Sequence, residues 1–148
     1  IEGEIHDSLG PSHAGLSRKL DTLAVYMASI EIPLSPYTEN QKAIKQGQEL
    51  FRNLSCDSCH VPPLYTNLEL YDVGTGDPVK EKNNRGTKFD TPSLRGIWMT
   101  SPYFHDGSAD TLEKVLQTGD VHNVSSKMNI EQIKDLIAFL RSLPSDIK

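Results

Sequence analysis

Cysteine is scarce in this chain, with two in 148 residues. A structural zinc site commonly draws on two Cys-x-x-Cys knuckles, or on one knuckle with a His-x3-5-His pair. There is no second knuckle, and His6, His13, His105 and His122 form no such pair, which argues against zinc. Long apolar runs are missing too. No stretch approaches the roughly 18 consecutive apolar residues that cross a bilayer, so a membrane span is not expected. Positive charge is short: 15 Lys and Arg against 20 Asp and Glu leave a formal net charge of −5. Gripping phosphates needs a basic face, so nucleic acid is not an expected partner. Aromatics make up 7% and hydrophobic residues 36%, enough for one core, or one core with an appendage, at this length. The opening "IEGEIHDSLG" carries neither an initiator Met nor a signal peptide, and the expectation is a mature form or a fragment.

Both cysteines lie in "LSCDSCHVPP", residues 54 to 63, three apart and followed directly by His60. A thioredoxin-like dithiol would want a strand before it and a βαβ frame around it. What precedes it is "TENQKAIKQGQELFRNLS", which has helical periodicity. On a helical turn, residues i, i+3 and i+4 share a face, so Cys56, Cys59 and His60 project together. Two thiols can then bond the two vinyl groups of a haem while the imidazole reaches the iron, the signature of c-type haem. The pattern predicts one covalent haem c per chain. Because thioether attachment takes place outside the cytoplasmic membrane, it also predicts a periplasmic or extracellular protein.

Thr38 and Gln41 form a capping-box pair that opens a predicted helix running to about Asn53, with Ala43, Gly47, Leu50 and Phe51 on one face. Gly47 in mid-helix costs about 1 kcal/mol against Ala. Either another helix approaches closely there, or the glycine is merely tolerated. Asn129 and Gln132 form a second capping box before an apolar stripe of Ile130, Ile133, Leu136, Ile137 and Leu140, and Pro144 ends that helix. Between them, residues 61 to 110 are rich in breakers, with "NLELYDV" as one short strand. So long a loop segment is reasonable around a macrocycle that supplies apolar surface. The predicted fold class is all-α: cytochrome c-like helices around one haem, long loops, and an extra N-terminal helical segment. In that segment "LDTLAVYMASIEIP" (20 to 33) echoes "IKDLIAFLRSLPSD" (133 to 146), a weak internal repeat. It reads as the closing helix of a preceding cytochrome-like unit, or as a simple helix packed on the domain. Either way Leu20, Leu23, Ala24 and Met27 are expected to be buried, "IPLSPY" to be a linker, and the domains to be 1–36 and 37–148.

The stretch "FDTPSLRGIWMTSPYFHDGSADTLEKVL", residues 89 to 116, resembles the C-terminal haem domain of bacterial di-haem cytochrome c peroxidases and their MauG-like methylamine-utilisation relatives. "AIKQGQELFRNLSCDSCH" and "IKDLIAFLRSL" resemble that domain's first and last helices, so the likeness covers about residues 38 to 143. The loop "PPLYTNLELYDVGTG" is similar to that of a short, mono-haem branch found at the ends of larger secreted proteins, some of them propeller-bearing. In the peroxidases the resemblance implies a Met as sixth iron ligand, and that position falls on Gly119. Locally, Asp110 and Glu113 read as a capping box, "TLEKVLQT" as a short helix, and Gly119 as its C-terminal cap.

Another side chain must then supply the sixth ligand, if one is present. Met99 lies among core-like residues in "GIWMT". Met128 stands at a hydrophobic-staple position before Asn129. His105 belongs to the shared motif and is expected to orient and hydrogen-bond near the haem. His122, on the loop of the displaced ligand, ranks first, with Met128 as its alternative. Arg95 is a candidate partner for a haem propionate, and Trp98 and Tyr103 are candidate pocket walls. The resemblance also implies a calcium ion held in part by the backbone of Thr100 and Pro102. The expected function is single-electron transfer to a redox partner protein or an adjacent haem domain. The alternative is a peroxidase-like haem enzyme, or the electron-relay domain of a larger di-haem peroxidase.

Overall fold

The structure, a computed structural model, describes residues 18–31, 33–76 and 87–144. The opening residues discussed above, His6 and His13 among them, and the breaker-rich stretch 77 to 86 lie outside the described residues. The chain divides into two units, Ile1–Ile32 and Pro33–Lys148, which puts the boundary four residues before the expected 36/37 division. The reason is local. Ser35 is buried and donates from Oγ to the Arg141 carbonyl at 2.5 Å. The Tyr37 amide donates back to Ser35 Oγ, and the Arg141 guanidinium lies 5.6 Å from the Tyr37 ring. Most of the expected linker is therefore docked on the second unit.

In the first unit, α1 (Arg18–Ser29) has no buried residue. The expected burial is not met: Leu23 is 40% and Met27 48% exposed, while Leu20 and Ala24 are half-buried.

The second unit is built on two helices, α2 (Gln41–Asn53) and α4 (Ile130–Ser142), which pack against one another. The cap of α2 is Asn40, whose side chain accepts from the Ala43 amide, two residues later than the expected Thr38. Gln41 instead donates to the Thr38 carbonyl. At α4 the Asn129–Gln132 capping box is present in both directions. Leu136, Ile137, Phe139, Leu140 and Leu143 are buried, but Ile130, expected in the stripe, is 74% exposed in the helix's first turn. Where the helices cross, a Cβ on Gly47 would stand 2.0 Å from the Asp135 carbonyl oxygen and 2.7 Å from Phe139 Cβ. Close approach is thus the reason for this glycine. Phe51 and Phe139 meet edge-on at 5.3 Å, and Tyr65 closes the cluster at 6.0 and 6.2 Å, geometry that aromatic quadrupoles favour. Gly47→Ala should force the helices apart and lower stability by about 2 kcal/mol or more, read as a drop in the thermal midpoint of the haem-loaded protein.

Helices dominate the described residues but do not account for all of the regular structure. A two-stranded antiparallel ribbon pairs β1 (Leu70–Asp72) with β2 (Lys88–Asp90), Tyr71 opposite Phe89. The short α3 (Leu112–Val115) is capped by Thr111, which accepts from the Lys114 amide, rather than by Asp110. It ends sooner than the expected 111–118 helix, in turns that lead to Gly119. Gly119 takes the left-handed conformation (φ +73°) in the loop beyond, not at the helix cap.

Candidate cofactor site

Cys56 opens a single 3-10 turn, Cys56–Ser58, entered through the left-handed Ser55. The His60 amide donates to the Cys56 carbonyl at 3.0 Å, so this short turn, rather than a longer helix, spaces the three side chains. Both thiols are free and half-buried. Burial first, and then the Asp57 carboxylate, push the Cys56 thiol up to about 11. Redox dithiols and metal-binding cysteines sit where their thiolates are stabilised; Cys56 has the opposite environment.

The cysteines and His60 line a cavity of about 540 Å³ within the second unit, inside the usual range of cofactor pockets. Its apolar walls come from distant parts of the chain, among them Phe51, Leu94, Leu112, Leu136 and Leu140. His60 Nδ1 lies 3.0 Å from the Tyr65 carbonyl oxygen. A proton on Nδ1 donated to that carbonyl leaves Nε2 as a lone-pair donor, the usual way a second partner sets the tautomer of a metal-binding histidine. Burial lowers the His60 pKa, as it does that of His122, and each ring's neutral form is the one that binds a metal.

His122 lines the same cavity, its ring centroid 6.4 Å from that of His60. One metal ion flanked by two imidazoles, each nitrogen at about 2 Å, sets the ring centroids roughly 6 Å apart. Three buried side-chain polar atoms lack a hydrogen-bond partner among the described residues, and two of them, His122 Nδ1 and Thr75 Oγ1, belong to residues that line this cavity. The thiol pair, the two imidazoles, the apolar walls and these unpaired atoms fit a haem.

The other expected residues fall into two groups. Tyr103, His105, Thr100 and Pro102 line the cavity. Tyr103 donates from its hydroxyl to the Ile97 carbonyl at 3.0 Å, and His105 stacks on Phe89 at 4.0 Å. Arg95, Trp98, Met99 and Met128 are not among the lining residues. Trp98 packs edge-on against Tyr37 at 6.2 Å, because its 3-10 turn (Ile97–Met99) gives Ile97 to the cavity. Met99, expected among core-like residues, is 47% exposed, and Met128 packs against the hydrophobic core beside α4. Among the described residues, no three His, Cys, Asp or Glu side chains converge as a further metal cluster. Phe89, Phe104 and Val73 are lining residues that the sequence reading did not select. Phe104 left one signal, a bulky residue inside "SPYFHDG", and it takes a left-handed φ of +67°.

These features describe a cytochrome c-like haem domain. A family model described as RoxA-like, cytochrome c-like matches residues 88–123. The chain is 30% identical to cytochrome c551 peroxidase of Nitrosomonas europaea, over 68% of this chain and 34% of that protein. It is 30% identical to methylamine utilization protein MauG of Methylorubrum extorquens, over 69% and 35%. Hydrazine synthase of Kuenenia stuttgartiensis, in a structure pressurised with xenon, superposes with a TM-score of 0.69 at 26% identity, over 84% of this chain and 55% of that one. The chain belongs to the superfamily of bacterial di-haem cytochrome c peroxidases and MauG-like proteins. It spans a third to a half of the length of these curated relatives.

Proposed function

We propose that the second unit is an electron-transfer domain carrying one covalent haem c, bonded through Cys56 and Cys59 and held on its iron by His60 and His122. The observation that carries this reading is the 6.4 Å juxtaposition of the two imidazoles in the cavity that the cysteines line. When bound, the haem supplies a one-electron ferric–ferrous couple whose potential follows its axial ligands and burial. The chain's own residues do the rest. Tyr65 fixes the His60 tautomer through its carbonyl, the apolar walls exclude water, and His122 takes the coordination position that a peroxide-binding enzyme would leave open. A thioether-bonded haem places the protein outside the cytoplasmic membrane, with a redox protein or a neighbouring haem domain as its partner. No described helix is long and apolar enough to cross a membrane.

A second reading, the relay domain of a larger haem protein, has its own support. In the echo noted above, Leu23, Tyr26 and Met27 of α1 stand where α4 has Leu136, Phe139 and Leu140. The α4 residues are buried and the α1 residues are exposed. A helix patterned like a cytochrome's last helix, with none of its own residues buried, suits the end of a preceding unit.

Ligand binding tests the electron-transfer reading. The oxidised protein should bind cyanide slowly or incompletely and turn over hydrogen peroxide no faster than free haem. Rapid, stoichiometric cyanide binding with peroxidase turnover would move the assignment to an enzyme.

A further inference from the structure

We propose that Gly74 and Gly119 form a positioning clasp that sets His122 in the cavity; this rests on the reading of His122 as the distal ligand. The loop after β1 and the loop after α3 meet at one point, where the Asp120 amide donates to the Val73 carbonyl at 3.0 Å. Both glycines at this junction are left-handed, each with φ +73°. Neither has room for a side chain. A Cβ on Gly119 would lie 2.4 Å from the Val73 carbonyl oxygen, and one on Gly74 would lie 2.6 to 2.8 Å from the Asp120 side chain and amide. At Gly119 the obstacle is backbone, which cannot yield as a flexible side chain can. At Gly74 the exposed Asp120 carboxylate can swing aside, but the Asp120 amide at 2.8 Å cannot, so substitution at either position opens the junction as well as straining φ.

His122 is two residues from Asp120, whose amide closes the clasp, and is tied on its other side as well. The Val124 amide donates to the His122 carbonyl at 2.8 Å and to the Leu116 carbonyl at 3.1 Å, and Val124 is buried. Only residues 121 to 123 span the two anchors, so the position of His122 follows from where the loops meet. Val73 lines the same cavity, which makes the clasp part of the wall. A side chain at 119 is thereby sacrificed to hold the imidazole at 122.

The test uses the haem-loaded protein and its ferric absorption spectrum. Gly119→Ala and Gly74→Ala should each lose most of the low-spin signature, and added imidazole should restore it by taking the vacated position. Gly47→Ala, which weakens the α2–α4 crossing, should keep that signature. If both clasp variants, folded by circular dichroism, stay low-spin while His122→Ala does not, the clasp is wrong and the ligand reading stands. If His122→Ala itself stays low-spin, the ligand reading falls. Loss of the signature in Gly47→Ala to the same extent would reduce the clasp effect to general loosening and overturn the proposal. Should Gly119→Ala fail to accumulate, Gly74→Ala decides alone.

Discussion

Replacing Cys56 and Cys59 together by alanine is expected to abolish covalent haem entirely: no haem-stained band on a denaturing gel, against one strong band for the unmodified chain. Each single variant should retain one thioether and a weaker band. The two thiols line the cavity with His60 and are set by one turn, so neither can be replaced from elsewhere in the chain. An apolar cavity of about 540 Å³ would then be left without its occupant. Such a void forfeits the contacts of its lining atoms, so the double variant should also melt well below the haem-loaded protein. Haem that acidified butanone extracts from the unmodified chain would refute covalent attachment.

The second large effect is expected at His122. His122→Ala should turn a low-spin ferric haem into a high-spin or water-ligated one, while Met128→Leu leaves the spectrum unchanged. The placement of the two side chains argues for this direction. His122 lines the cavity near His60, whereas Met128 packs against the core at the start of α4. His122→Met, if it ligates, should raise the reduction potential, because thioether favours the ferrous state over imidazole. A high-spin product from Met128→Leu would reverse the assignment.

What the sequence made legible depended on range. The Asn129–Gln132 box is a contact across three residues, written in the local pattern, and it formed as expected. Thr38 and Asn40 both precede α2 closely, and the choice between them depended on which side chain oxygen reaches a helix amide; Asn40 does. Thr111 over Asp110 is the same contest at α3. Strand β2, only Lys88–Asp90, is too short to show a period and exists because β1 pairs with it. The glycine at 47 was readable as an oddity, but its cause, the Asp135 carbonyl, lies on another helix. The candidate site divides the same way. Cys56, Cys59 and His60 form a local motif. Bringing His122 toward them takes a long-range loop junction, and only the resemblance that left Gly119 without a ligand pointed to it. Trp98 was selected by residue type, which carries no information about the direction a side chain takes from a 3-10 turn.

The most direct test of the account is low-temperature electron paramagnetic resonance of the unmodified, oxidised protein, together with its long-wavelength absorption. A haem held between His60 and His122 gives low-spin ferric signals, no axial high-spin signal, and no red charge-transfer band of thioether ligation. A dominant high-spin signal, or the thioether band, would contradict it.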